Sequence, residues 1–167
     1  KLKGILKEIG ECDVSKKTGY WKISFSEDEV KSDYLEFLRL TSSKENLNKQ
    51  KINHLIEITE KGAFLFNLHY EWLDKFKAMV SDRILDTLIE FGQSIEIKED
   101  ADFIIHLADS VFNFDIVNEE AMILKCKAQY CMGKHSLAKA TYEKFCKEYQ
   151  IMYGQDYNKE FAAILKN

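Results

Sequence analysis

The chain has 167 residues, of which 46% are hydrophobic and 13% aromatic, so it holds enough apolar surface for a packed core. It contains no proline, which favours a helix-rich fold because helix interiors exclude proline. Its four cysteines form no CxxC pair and are expected to be free thiols rather than a disulfide framework. No apolar run approaches the roughly 20 residues that cross a bilayer, so the sequence predicts a cytoplasmic protein.

The net charge of −4 is unevenly distributed along the chain. Residues 1–25 hold six lysines and three acidic residues, whereas the remainder holds 18 basic and 25 acidic residues. A basic end on an acidic body suits a tip that faces nucleic acid, attached to a module that faces proteins. Ordinary surface charge explains the same distribution equally well.

A helix end followed by a β-hairpin is predicted at the start of the chain. The chain begins at Lys1 rather than methionine, inside the predicted helix, and is therefore expected to be a piece of a longer protein. Gly10 ends the helix. Strands are predicted on either side of a turn at residues 15–19, because apolar and polar residues alternate after it. The return strand is expected to pack on the helix through Trp21 and Ile23.

The segment LKGILKEIGECDVSKKTGYWKISF resembles the end of the winged-helix domain of response-regulator-type activators. The resemblance implies DNA contacts from the end of the recognition helix and from the tip of the wing. The residues that occupy those places are Lys1, Lys3, Lys16, Lys17 and Thr18. Contacts to the phosphate backbone from these positions give salt-dependent affinity and little sequence information. A solvated turn that touches nothing is the alternative interpretation.

Residues 26–61 are predicted to be a helical linker. The polar stretch SEDEVKSD marks the boundary, and a short helix follows with Ser26 or Asp28 as its cap. A second helix carries Ile52, Leu55 and Ile56 on one face.

Residues 62–167 resemble the bacterial transcriptional activation domain of activators of the antibiotic-regulatory (SARP) type. The resemblance rests on an ordered series of residues: Gly62, Phe64-Leu65, Glu71-Trp72, Arg83, Asp115, Glu119-Glu120-Ala121, Gly133, Ala138 and Tyr142. The proline that follows the aspartate in that family is replaced by Ile116. The family implies a tetratricopeptide-like domain that mediates self-association or contacts the transcription machinery or a sensor domain.

The helical pattern of this region independently predicts an α-helical hairpin over residues 118–149, with its turn at Gly133-Lys134-His135. Helical spacing puts one set of residues on a shared face of the first helix and another on a shared face of the second: Ala121, Leu124, Ala128 and Cys131, and Ala138, Tyr142, Phe145, Tyr149 and Met152. Small residues on the first face meet aromatic residues on the second, which lets two antiparallel helices approach closely. A longer helix before it is expected to bury Trp72, Phe76, Val80, Ile84, Leu88 and Phe91. The predicted structural residues are Trp21, Trp72, Ala121, Gly133, Ala138 and Tyr142.

No catalytic or metal-binding pattern is found. The four histidines have neither HxxxH nor HExxH spacing, His106 is expected to be partly buried, and the seven glycines are scattered singly. We therefore expect no enzyme activity, cofactor or metal. The sequence predicts a mainly α protein, a tetratricopeptide-like α-α superhelix with a small N-terminal β-hairpin from a winged helix. The expected function is transcriptional regulation through DNA and a protein partner, and the alternative is a stand-alone adaptor that does not bind DNA.

Overall fold

A computed structural model of the chain describes residues 4, 6, 8, 12–17, 19–25, 31–42 and 47–166, with the backbone alone at Lys17, Trp21 and Phe25. The described part is mainly helical, with seven helices and one two-stranded antiparallel sheet. The chain forms two compact units, Lys1–Ser42 and Ser43–Asn167. The division between them falls inside the predicted linker 26–61.

The β-hairpin of the first unit is present where the sequence predicts it. Strand β1 spans Cys12–Lys17 and strand β2 spans Tyr20–Phe25. Lys16 pairs with Trp21 and Lys17 with Tyr20, so the connection is only two residues long and the predicted turn at 15–19 is too wide. Gly19 has φ 85°, a conformation that suits glycine in a two-residue hairpin turn.

A short helix, α1, ends the first unit at Asp33–Thr41. Its N-cap is Ser32, whose side chain accepts a hydrogen bond from the Leu35 amide at 3.4 Å. The predicted caps, Ser26 and Asp28, are therefore wrong, because the chain offers a serine directly before the first helical turn.

The described residues of the second unit form six helices. They are α2 (Lys49–Glu60), α3 (Glu71–Ser94), α4 (Ile97–Phe112), α5 (Glu119–Cys131), α6 (His135–Tyr153) and α7 (Phe161–Lys166). From α3 to α6 each helix contacts the next along the chain, and α2 with α4, α3 with α5 and α5 with α7 are also in contact. Helix α5 therefore has neighbours on several sides. This explains why Met122 and Ala128 are both fully buried although they point in different directions.

The predicted hairpin corresponds to α5 and α6. Asn118 caps α5 by accepting a hydrogen bond from the Ala121 amide at 3.0 Å. After α5, Gly133 has φ 74°, and the Lys134 amide donates to the Gln129 carbonyl at 2.9 Å, as in a Schellman motif. Ala121 and Ala138 are fully buried. These three predictions, for Ala121, Gly133 and Ala138, are confirmed.

Helix α3 buries a different stripe at its start from the one predicted. Val80, Ile84, Leu88 and Phe91 are buried as expected, but Trp72 is 75% exposed and Leu73 is buried in its place. At 100° per residue, Leu73 lies within 20° of Val80 around the helix axis, whereas Trp72 lies about 80° away. The prediction that Trp72 belongs to the core is therefore wrong.

Helices α5, α6 and α7 share an aromatic cluster. The buried residues Val117, Met122, Cys126, Phe145 and Ile164 form its centre. Partly buried aromatic residues surround them: Phe112, Tyr142, Tyr149, Tyr157 and Phe161. Tyr142 packs at an angle on Phe161 with 5.5 Å between the ring centroids, so it contributes to the core as predicted while remaining half-buried.

Candidate functional site

The end of the hairpin β1–β2 carries those predicted DNA-contacting residues that the structure describes. Lys16 is exposed next to the turn, and Tyr20, which pairs with Lys17 across it, is 79% exposed. Lys1, Lys3 and Thr18 lie outside the described residues, as do the side chains of Lys17 and Trp21. Ile23 is 41% exposed rather than buried. The hairpin thus presents basic and aromatic groups at its turn, the composition that suits contact with a phosphate backbone.

A second candidate is an exposed apolar surface where α3 begins. Six large apolar residues between residues 65 and 79 have at least a third of their surface open to solvent. They are Leu65, Phe66, Leu68, Tyr70, Trp72 and Met79, with exposed fractions between 36% and 75%. We call this set the aromatic face. Sequence reasoning missed it because it took Trp72 for a core residue.

The aromatic face is held in a fixed conformation although residues 61–70 are not helical. Phe64 packs edge-on against Phe76 of α3 with 5.4 Å between the ring centroids, and Lys77 of α3 donates a hydrogen bond to the Leu68 carbonyl. Leu65 adopts φ 53°, an uncommon conformation for a residue with a branched side chain, which the surrounding structure must maintain. These contacts therefore stabilise the segment in this conformation.

The aromatic side chains at the end of this segment are ordered against one another. Tyr70 and Trp72 stack with 6.2 Å between their ring centroids and 23° between their planes. Trp72 and Met79 are seven residues apart and so lie on the same side of α3, about 10 Å from each other along its axis. Tyr70 and Trp72 thus form one stacked pair, and Met79 lies two turns further along the same side of α3.

The residues in and around the aromatic face carry equal numbers of negative and positive charges. Residues 60–79 contain three acidic residues (Glu60, Glu71 and Asp74) and three lysines (Lys61, Lys75 and Lys77). A neutral apolar surface does not attract nucleic acid or an anionic membrane, because both require an excess of positive charge. It suits contact with protein, where tyrosine and tryptophan are enriched at interface centres.

A groove of about 380 Å³ lies on another part of the second unit, lined by residues of α4, α5 and α6 together with Glu60. Several of the polar groups along it are bonded within the chain. Asp109 pairs with Lys125, the Ser110 hydroxyl donates to the His106 carbonyl, and the Thr141 hydroxyl donates to Gln129. His106 is exposed at this groove rather than partly buried. The size suits a small ligand, but the engaged polar groups make the groove a weaker candidate than the aromatic face.

Burial favours the neutral forms of Cys126 and Tyr142 in the aromatic cluster. Burial raises the pKa of the Cys126 thiol to about 12, and its Sγ donates to the Ala138 carbonyl at 3.3 Å. Burial, together with a hydrogen bond to Cys146, raises the pKa of Tyr142 to about 12. A thiol with so high a pKa is not a nucleophile near neutral pH, so Cys126 acts here as a buried packing residue.

Comparison with known proteins gives no relative: no family model, curated protein or solved structure matches the chain significantly. Within the described residues, none of the helices combines the length and the apolar character needed to traverse a membrane. The same part of the chain holds no group of three or more His, Cys, Asp and Glu residues arranged to bind a metal.

Proposed function

We propose that this chain is part of a DNA-binding transcriptional regulator of the antibiotic-regulatory type. In this proposal the hairpin β1–β2 is the wing of a winged helix, and the second unit is a tetratricopeptide-like domain that binds protein. The observation that carries the proposal is the hairpin itself, a two-residue turn with Lys16 and Lys17 directly before it. The segment that resembles a wing thus folds as a β-hairpin, and Lys16 is exposed near its turn.

The helical part of the proposal is supported by the way the helices contact one another. Contacts between successive helices, and between helices two apart, are expected when α-α hairpins stack in two layers. The close approach of α5 to α6 through Ala121 and Ala138 and the left-handed Gly133 between them are also expected of such a repeat. The aromatic face gives this domain a surface for a protein partner.

The test of the DNA-binding half is a titration of a fluorescently labelled duplex with the chain, followed by anisotropy at several salt concentrations. We expect weak binding without sequence preference, because a wing contacts mainly the backbone. Lys16→Ala with Lys17→Ala should weaken binding to every sequence and reduce the slope of log K against log salt by about one to two.

The matched control is Lys144→Ala with Lys147→Ala on α6, which removes the same charge from the helical unit. This control should bind DNA like the unmodified chain. If both double variants weaken binding equally, net charge rather than the hairpin determines affinity, and the wing assignment is wrong. If the unmodified chain does not bind DNA at low salt, the adaptor function is favoured, in line with the 25 acidic against 18 basic residues after position 25.

A further inference from the structure

We infer that the aromatic face is a self-association surface, and that its occupant is a second copy of this chain. The inference rests on the proposed function only in taking the helical unit as a protein-binding domain, and it does not require that the chain bind DNA. It goes beyond that function by naming the surface, the partner and the residues at the centre of the contact.

The exposed area of the aromatic face matches what a small dimer interface needs. Each aromatic side chain offers about 150–250 Å², so the exposed fractions of Phe66, Tyr70 and Trp72 leave about 400 Å² open to water. Leu65, Leu68 and Met79 bring the apolar area to about 600 Å², the upper end for the largest apolar patch of a typical monomer. Two copies that pair through this face bury about 1,200 Å² in total, the smallest area usual for a specific, stable interface.

The positions of Trp72 and Met79 on α3 allow the aromatic face to pair with itself. A twofold dimer interface brings the same surface patch of both copies together, so the patch must complement itself. Trp72 and Met79 lie two turns apart on one side of α3. When two α3 helices cross antiparallel about a point between these residues, Trp72 of one copy meets Met79 of the other, twice. Sulfur and aromatic rings attract each other in such contacts.

The net charge near the aromatic face also favours a second copy over a strongly charged partner. The three acidic and three basic residues in 60–79 give the surface no net charge, so two copies do not repel each other. A partner with a strong charge of either sign finds no complementary field there.

The segment that carries the aromatic face is already held in place by contacts with α3. Ordering a flexible loop on binding reduces affinity. The contacts of Phe64 with Phe76 and of Lys77 with Leu68 already fix the segment before any partner arrives. The face is therefore ready to bind, which compensates for its modest area.

Sedimentation equilibrium of the chain without DNA tests the inference. We expect a reversible dimer with a dissociation constant in the micromolar range, the weak end for interfaces of about this size. Trp72→Ala and Met79→Lys should each raise the dissociation constant about tenfold or more, since truncating a central aromatic anchor has the largest effects in an interface. The Trp72 side chain is 75% exposed, so these variants should fold, which circular dichroism checks.

Two control variants make the outcome specific. Ile151→Ala removes an apolar side chain that is 79% exposed on α6, outside the aromatic face, and should leave the dimer unchanged. Lys16→Ala with Lys17→Ala should also dimerise normally, which separates this inference from the wing assignment. A chain that stays monomeric throughout the micromolar range, or a Trp72→Ala variant that dimerises as tightly as the unmodified chain, would overturn it.

Discussion

The hydroxyl of Thr141 on α6 donates a hydrogen bond to the side-chain oxygen of Gln129 on α5, with 2.9 Å between the two oxygens. Gln129 is only 2% exposed, so its amide has little access to water. A polar contact of this kind fixes how the two helices of the hairpin sit against each other, because a sliding helix would leave the amide oxygen unpaired.

Replacing Thr141 with valine should therefore destabilise the chain by about 1–3 kcal/mol, the cost of leaving a buried acceptor unsatisfied. Thr141→Ser keeps the hydroxyl and is the matched control, with an expected loss well under that of valine. The measurement is the urea dependence of unfolding by circular dichroism. A loss for Thr141→Ser that exceeds the loss for Thr141→Val would show that the methyl group, and not the hydrogen bond, stabilises the hairpin.

The neighbouring residues Trp72 and Leu73 give a second prediction. If Trp72 were a core residue, its truncation to alanine would lower the free energy of unfolding by about 3–5 kcal/mol. Because it is 75% exposed, we expect Trp72→Ala to change the unfolding free energy of the monomer by about 0.5 kcal/mol or less. Leu73 is 4% exposed, so Leu73→Ala should lower the free energy of unfolding by about 2–5 kcal/mol. Thermal or urea unfolding at low protein concentration measures both, and a larger loss for Trp72 would contradict the structure.

The buried thiol of Cys126 gives a pH-dependent prediction. Its pKa is about 12 in the folded chain against 9.0 for the free thiol. A raised folded pKa gives stability that is fully present below pH 9 and is lost as the pH rises towards 12. The free energy of unfolding, measured in reducing buffer, should decline over this range. For Cys126→Ala, the free energy of unfolding should decline less steeply with pH. Cys131→Ala removes an exposed thiol, so its pH dependence should match that of the unmodified chain.

The α5–α6 hairpin was predictable because its signals are local. Helical spacing identified Ala121, Leu124, Ala128 and Ala138, all of which are buried, and a single glycine marked the turn. The same spacing failed at the helix ends. Cys131 and Met152 were expected on the buried faces, yet both are exposed, because periodicity gives the direction of a side chain and not how far the neighbouring helix extends.

The candidate surfaces were harder to predict, for a different reason. The groove is lined by Glu60, Asp109 and Lys144, which lie on three different helices. No local sequence pattern predicts that residues so far apart in the chain line one groove. The aromatic face is local in sequence, but whether Phe66 or Trp72 faces the core depends on helix rotation at the start of α3. An error of one residue, 100° around the axis, turns a core residue into an exposed one.

The most direct test of the proposed regulator is to map where DNA contacts the chain, by following backbone amide resonances of the ¹⁵N-labelled protein as duplex DNA is added. The account predicts shifts that rise with DNA concentration at residues 12–25, largest around Lys16 and Tyr20, and that disappear at high salt. Shifts confined to residues 43–167, or none at any salt concentration, would contradict the assignment of the hairpin as a DNA-binding wing.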